Sequence, residues 1–330
     1  MVTRSAPIVL DEEPAAEADS TEKFHQLVAR LSRQSVDKHY DAYADIDWES
    51  EDNRIDPADP RWALPAIDPL GGTDWYRSLP AETRARLGLW RVVAAMKIGV
   101  QFENILKRGL LLYAIGLPNG APEFRYAYHE TVEESHHGMM FQEFVNRSGL
   151  PVRGLPLWMR DGASLVAILG RLFPELFFFF VLGGEDPIDH VQRQTLSGRT
   201  GTGPEELHPL LVTVMRHHVT EEARHLSFAR HWLKLRVPTL GAPRKVALSL
   251  AVPVILGAMA RIMLAPSPAM IREFNIPAEV VRAAYRDNPD SRAEARRSLR
   301  KVRTLAEDLG LVTGLSRPLW RALGIWEEAG

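Results

Sequence analysis

The sequence predicts an all-α protein. Three observations carry the prediction: four long segments place apolar residues at three- and four-residue spacing, none of them shows the period-two alternation of a strand, and Gly or Pro stands at their ends. The chain has 330 residues, 45% of them hydrophobic, enough to bury the core of one large domain.

Taken in order, residues Met1 to Ser20 are rich in Ala, Glu, Asp and Pro and read as a disordered acidic leader. They lack the basic start and apolar core of a secretory signal, so a cytoplasmic location is expected. A single domain is expected over residues 21–330. Thr21 to Val36 has helical periodicity, and the stretch from Asp41 to Thr73, dense in Asp, Pro and Trp, is expected to wrap the surface as irregular chain. Pro80-Ala81-Glu82-Thr83 opens the first long helix, which runs through Trp90, Val93, Met96 and Glu103 to about Ile115, where Gly116 and Pro118 stop it. The second spans Ala121 to Ser148, closed by Gly149 and Pro151. The third spans Gly162 to Ser197 with a break expected at Pro174 or Pro187, and the fourth Glu205 to Leu235. Arg244 to Leu264, Pro277 to Tyr285, Ser291 to Leu309 and Arg317 to Glu328 read as further helices packed around the bundle. Val246 to Ala265 is apolar enough to suggest a membrane span, but Pro253, Arg261 and its marginal length favour a buried helix.

Composition narrows the chemistry. A net charge of -2 and a pI of about 6.6 give no electrostatic footprint for nucleic acid. The absence of cysteine removes disulfides, thiolate-bound haem, iron-sulfur clusters and a catalytic thiol. Any metal must sit on oxygen and nitrogen. No glycine-rich nucleotide loop and no Gly-x-Ser-x-Gly elbow is present.

The most informative segments are Glu133-Glu134-Ser135-His136-His137 and His218-Val219-Thr220-Glu221-Glu222-Ala223-Arg224-His225. At roughly 100° per residue, His218, Glu222 and His225 fall within about 40 to 60° of one another, so one helix face carries three ligand-type side chains. A bundle can hold two divalent ions with one Glu from each of two helices and a Glu-x-x-His pair from each of the other two. Four carboxylates then offset the +4 charge, and imidazoles add neutral nitrogen donors. In the second helix the pair could be Glu133 with His136 or Glu134 with His137. Superposing the two segments selects Glu134 and His137 and leaves Glu133 and Glu221 as acids suited to bonding an imidazole N–H.

For the single carboxylates, Glu103 shares a face with Met96, Leu106 and Leu110, the alternative being a surface glutamate near Lys107. Glu185 follows the apolar run Phe177 to Leu182, with Glu175 as competitor. His218 reads as a third imidazole on one ion, with His217 as the other register. Gln192 and Arg193 could meet a substrate or brace helices, and Asp189 and His190 could support a ligand.

Together, a first-helix carboxylate, the Glu134-Ser135-x-His137 segment, a third-helix Glu and His218-x-x-x-Glu222-x-x-His225 resemble the di-iron N-oxygenases of natural-product pathways, which act on p-aminobenzoate and other arylamines. The resemblance implies a ferritin-like four-helix di-metal bundle with additional packed C-terminal helices. It implies the ligand set Glu103, Glu134, His137, Glu185, His218, Glu222 and His225, holding two Fe ions, with manganese accepting the same donors. It further implies O2 as co-substrate, a small-molecule amine taken through hydroxylamine and nitroso stages to a nitro group, an external electron donor such as a reductase or ferredoxin, and a homodimer. Neither a nucleic acid nor a membrane partner is expected.

Overall fold

A computed structural model describes residues 15–326, and among them there is no strand. Its helices are α1 (Ala15–Asp37), α2 (Asp74–Ser78), α3 (Ala81–Ala114), α4 (Pro122–Ser148), α5 (Leu157–Leu172), α6 (Pro174–Leu196), α7 (Pro209–Arg236), α8 (Ala242–Leu264), α9 (Pro268–Glu273), α10 (Ala278–Val281), α11 (Pro289–Ser298), α12 (Arg300–Asp308) and α13 (Arg317–Ala322). The first fourteen residues of the expected leader and the last four of the chain lie outside the described residues. Residues 15–20, expected in the leader, are instead the first turns of α1.

The punctuation residues act where their stereochemistry dictates. Pro122 and Pro209 sit at the first helical positions of α4 and α7, where a missing N–H costs nothing. Gly149 ends α4 in the left-handed conformation, φ 64°. The expected third helix is two helices, because Phe173, driven to φ -148° and ψ 68° ahead of Pro174, cannot continue a turn. Pro187 stays inside α6. The fourth helix begins at Pro209 rather than Glu205, since His208 is extended before its proline. The segment expected as one helix over Ser291 to Leu309 is broken at Leu299. Residues 41–73 are irregular apart from two short 3-10 turns, as the Asp, Pro and Trp content predicts.

Four helices, α3, α4, α6 and α7, form the bundle. The run Phe177 to Leu182 is buried in its core with Phe102, Leu106, Leu110, Tyr126, Phe228 and Trp232. A second cluster at the other end joins Trp48, Trp62, Leu89, Val93, Phe144, Leu210 and Val214. Outside the bundle, α1 lies over α4 and α7, α5 over α3 and α6, and α8, α11 and α12 over α6. Residues 242–273 contain the one stretch among the described residues long and apolar enough to cross a membrane, and 39% of it is buried. The buried helix expected there is therefore buried on one side only: Leu248, Val252 and Leu256 face inward while Val246, Leu250 and Val254 are exposed.

Close approach of α3, α5 and α6 depends on two glycines. A Cβ on Gly109 would lie 2.1 Å from the Phe177 ring, and one on Gly170 would lie 2.1 Å from the Gly109 carbonyl oxygen. Neither neighbour can retreat without moving a packed helix. Substituting Gly109→Ala should cost about 1–3 kcal/mol by overpacking, read as a lower urea midpoint with an unchanged m-value.

Candidate metal centre

The bundle interior brings together residues far apart in sequence. Glu103 on α3, Glu134 and His137 on α4, Glu185 on α6 and His218, Glu222 and His225 on α7 are all buried, none more than 2% exposed. They form three overlapping groups: Glu134, His137, Glu222 and His225; Glu103, His137 and His218; and Glu185, His218 and Glu222. Within each group the donor atoms lie within 4.8 Å of one another. That is close to the spread of ligands around one ion bound at about 2.1 Å.

The inward-facing atoms are specific. His225 Nδ1 is 2.9 Å from both Glu134 Oε1 and Glu222 Oε1, and His137 Nδ1 is 3.0 Å from Glu134 Oε2. His218 Nε2 faces Glu103, Glu185 and Glu222 at 3.8–3.9 Å. Glu103 Oε2 and Glu222 Oε2 are buried without a hydrogen-bond partner, and Glu134 Oε1 accepts none despite the nearby imidazole. Lone pairs thus converge where the protein supplies too few donors. Four carboxylates and three imidazoles in that state fit a pair of divalent ions of the iron or manganese type.

The opposite edges of the rings are held reciprocally. His137 Nε2–H donates to Glu221 Oε2 at 2.9 Å, and His225 Nε2–H donates to Glu133 Oε2 at 2.7 Å. Each acid therefore serves the imidazole of the other helix, and the pairing shows that α4 and α7 run antiparallel. Arg224 lies between the two acids, its Nη2 2.9 Å from Glu133 Oε1 and 3.5 Å from Glu221 Oε1. Glu221 also accepts the Tyr40 N–H at 2.9 Å, which fastens the chain after α1 over this edge.

Other residues singled out from the sequence stand elsewhere. Glu133 and His136 are outside the cluster; His136 Nδ1 accepts the Ala42 N–H. His217 stacks on Tyr40 with ring centroids 3.9 Å apart. Glu175 pairs with Arg244 near the start of α6, His190 with Glu294, and Asp189 with Arg193. Arg193 also donates to the Val219 carbonyl, so it braces α6 on α7. Gln192 accepts from His218 Nδ1. Two participants were missed. Arg224 carries no motif of its own beyond its three-residue spacing from Glu221. Glu130, four residues before Glu134 and seven before His137, repeats the spacing of His218, Glu222 and His225; it is buried with Oε2 unpartnered.

Charge crowding dominates the electrostatics. Burial, then repulsion from Glu134 and Glu185, raises Glu103 well above the usual carboxylate range. Burial and the charges of Glu222 and Glu134 do the same to Glu185. Burial also lifts Glu222 to about 7 and Glu130 to about 8, despite attraction to His225. Burial opposes ionisation of Glu133, yet the His225 hydrogen bond and the Arg224 charge bring it down to about 2. His137, disfavoured as a cation by burial, is nevertheless raised to about 10 by Glu134 and Glu221.

Two outcomes follow. Arg224→Leu leaves two buried carboxylates facing each other and should cost the metal-free protein about 3–5 kcal/mol, measured by urea denaturation. Glu222, lifted to about 7, is partly protonated at neutral pH and His137, raised to about 10, holds its proton there; a bound ion must displace both, so divalent-metal affinity should rise from pH 6 to pH 8 with proton release. Calorimetry in two buffers of different ionisation heat measures both, and a pH-independent affinity without proton release would contradict it.

Residues 21–310 match the family described as p-aminobenzoate N-oxygenase AurF. Uncharacterized proteins of Mycobacterium bovis and Mycobacterium tuberculosis are 42% identical to the chain over 304 residues, 92% of its length and 88% of theirs. With the match spanning every helix that lines the buried cluster, the chain belongs to the p-aminobenzoate N-oxygenase family, whose fold is a ferritin-like di-iron helical bundle.

Proposed function

We propose that the chain is a non-haem di-iron N-oxygenase that uses O2 to oxidise the amino group of a small amine, an arylamine by preference, in a natural-product pathway. The observation that carries this reading is the convergence of Glu103, Glu134, His137, Glu185, His218, Glu222 and His225 in three overlapping ligand groups. These seven residues would hold the two ions, and a bound iron pair supplies reduction of O2 and transfer of oxygen to the amine. Family membership supports nitrogen as the site of attack.

The surrounding residues have roles of their own. Phe141, its ring 5.2 Å from that of His218, and the stacked Phe102 and Phe180 keep the interior apolar and dry. Glu133 and Glu221 hold two imidazoles by their outer N–H, so that the inner nitrogens are the ones turned toward a bound ion. Glu130, raised to about 8, holds a proton at neutral pH beside this group of charges. The chain has no cysteine to carry an iron-sulfur cluster, so the reading includes a separate electron donor. It also includes a homodimer, in keeping with the family resemblance.

The test is a titration of metal-free protein with Fe(II) under anaerobic conditions, followed by single turnover with p-aminobenzoate or a related arylamine under labelled O2. Two ions per chain and label on nitrogen are expected. Label on carbon, or a desaturated product, would replace the reading with a C–H hydroxylase or desaturase, and iron mineral in a cage assembly would replace it with an iron-oxidising protein. Substituting His218→Ala should weaken one of the two ions by at least about 10-fold and change the ratio of hydroxylamine, nitroso and nitro products. Unchanged metal content and product ratio would remove His218 from the ligand set.

A further inference from the structure

The three imidazoles of the centre differ in what holds their outer nitrogen. His137 and His225 give theirs to carboxylates, Glu221 and Glu133. His218 faces a neutral group instead: its Nδ1 lies 2.9 Å from Gln192 Oε1. Gln192 is 9% exposed and stands two turns after Glu185 on the same face of α6. One helix thus presents a ligand-type carboxylate and, seven residues on, the acceptor that meets an imidazole of α7. The register between the two helices is fixed at this point, because Arg193 Nη2 donates to the Val219 carbonyl at 3.1 Å and Arg193 Nε to Asp189 Oδ1 at 2.7 Å.

An amide oxygen has no proton to give, so the His218 ring must carry its hydrogen on Nδ1 and leave the Nε2 lone pair facing inward. A carboxylate acceptor draws that hydrogen toward itself and makes the ring a stronger electron donor. An amide does so much less. We infer that Gln192 is a positioning residue that locks His218 in the Nδ1–H tautomer and keeps it the weakest donor of the three imidazoles, so that the two metal positions are chemically unequal. The inference rests on the dinuclear reading proposed above for the same seven residues.

The test uses the full chain with 15N-labelled histidine and the variants Gln192→Leu and Gln192→Glu. In the metal-free wild type, the His218 resonances, assigned by their absence from His218→Gln, should show a protonated Nδ1 and a bare Nε2. Gln192→Leu should lose that fixed tautomer and bind one of two Fe(II) ions about 10- to 100-fold more weakly, with the other unaffected. Gln192→Glu should keep both ions but shift the ultraviolet-visible charge-transfer bands of the oxidised iron-loaded protein, a readout that a merely structural glutamine would not move. A tautomer and a two-ion isotherm unchanged in Gln192→Leu, or identical bands in Gln192→Glu, would overturn the inference. Should Gln192→Leu fail to fold, the bands of Gln192→Glu decide alone. A wild type that takes up no pair of ions would sink the dinuclear reading instead, while the metal-free tautomer measurement would still report on the Gln192 contact.

Discussion

Buried like charge is the constraint around which this molecule is built. Glu103, Glu134, Glu185 and Glu222 meet inside a bundle that admits almost no water, and ionising them all there without cations would cost more than a marginally stable fold possesses. Without cations, burial and mutual repulsion push Glu103, Glu185 and Glu222 toward their neutral forms. Divalent ions answer the same demand with greater charge. The aromatic packing of Phe141, Phe102 and Phe180 makes the demand severe by keeping the surroundings dry.

That demand explains why the centre was so legible in the sequence. A side chain that must point into a bundle repeats at three, four and seven residues, and that spacing marks the segments of Glu133 to His137 and His218 to His225, while leaving Glu133 with His136, and His217, open as other registers. The internal likeness of the two segments separated Glu134 from Glu133 because paired helices meet a common centre in related ways. Glu103 and Glu185 were harder to read, since each stands alone on its helix and only burial distinguishes it from a surface acid. The α-helical class followed from periodicity, and most helix ends from Pro and Gly.

What sequence could not supply is pairing between distant segments. Pro174 and Pro187 look alike in a helical pattern, yet only the first leaves the helix, and local spacing gave no means to choose. Nothing in the spacing around Arg224 shows that Glu133 and Glu221 lie on either side of it. Gln192 reads as a substrate contact or a helix brace, and only the fold sets it against His218. The attachment of Tyr40 to Glu221 spans 181 residues of chain, and nothing near either residue announces it. The exposed side of α8 has the same origin: Pro253, Arg261 and its length favour a buried helix there, but a helix on the outside of a bundle can cover only one flank.

The reciprocal bonding of Glu133 to His225 and Glu221 to His137 has a mechanical consequence. Sliding α4 past α7 would break both bonds at once and strand Arg224, so the register of these two helices is tied at two points beside the centre. Glu103 and Glu185 belong to no such cross-tie. Although α6 itself is braced on α7 through Arg193, the freer side chains are Glu103 and Glu185, and a carboxylate that must swing to admit a guest or change its grip will swing at one of those two positions.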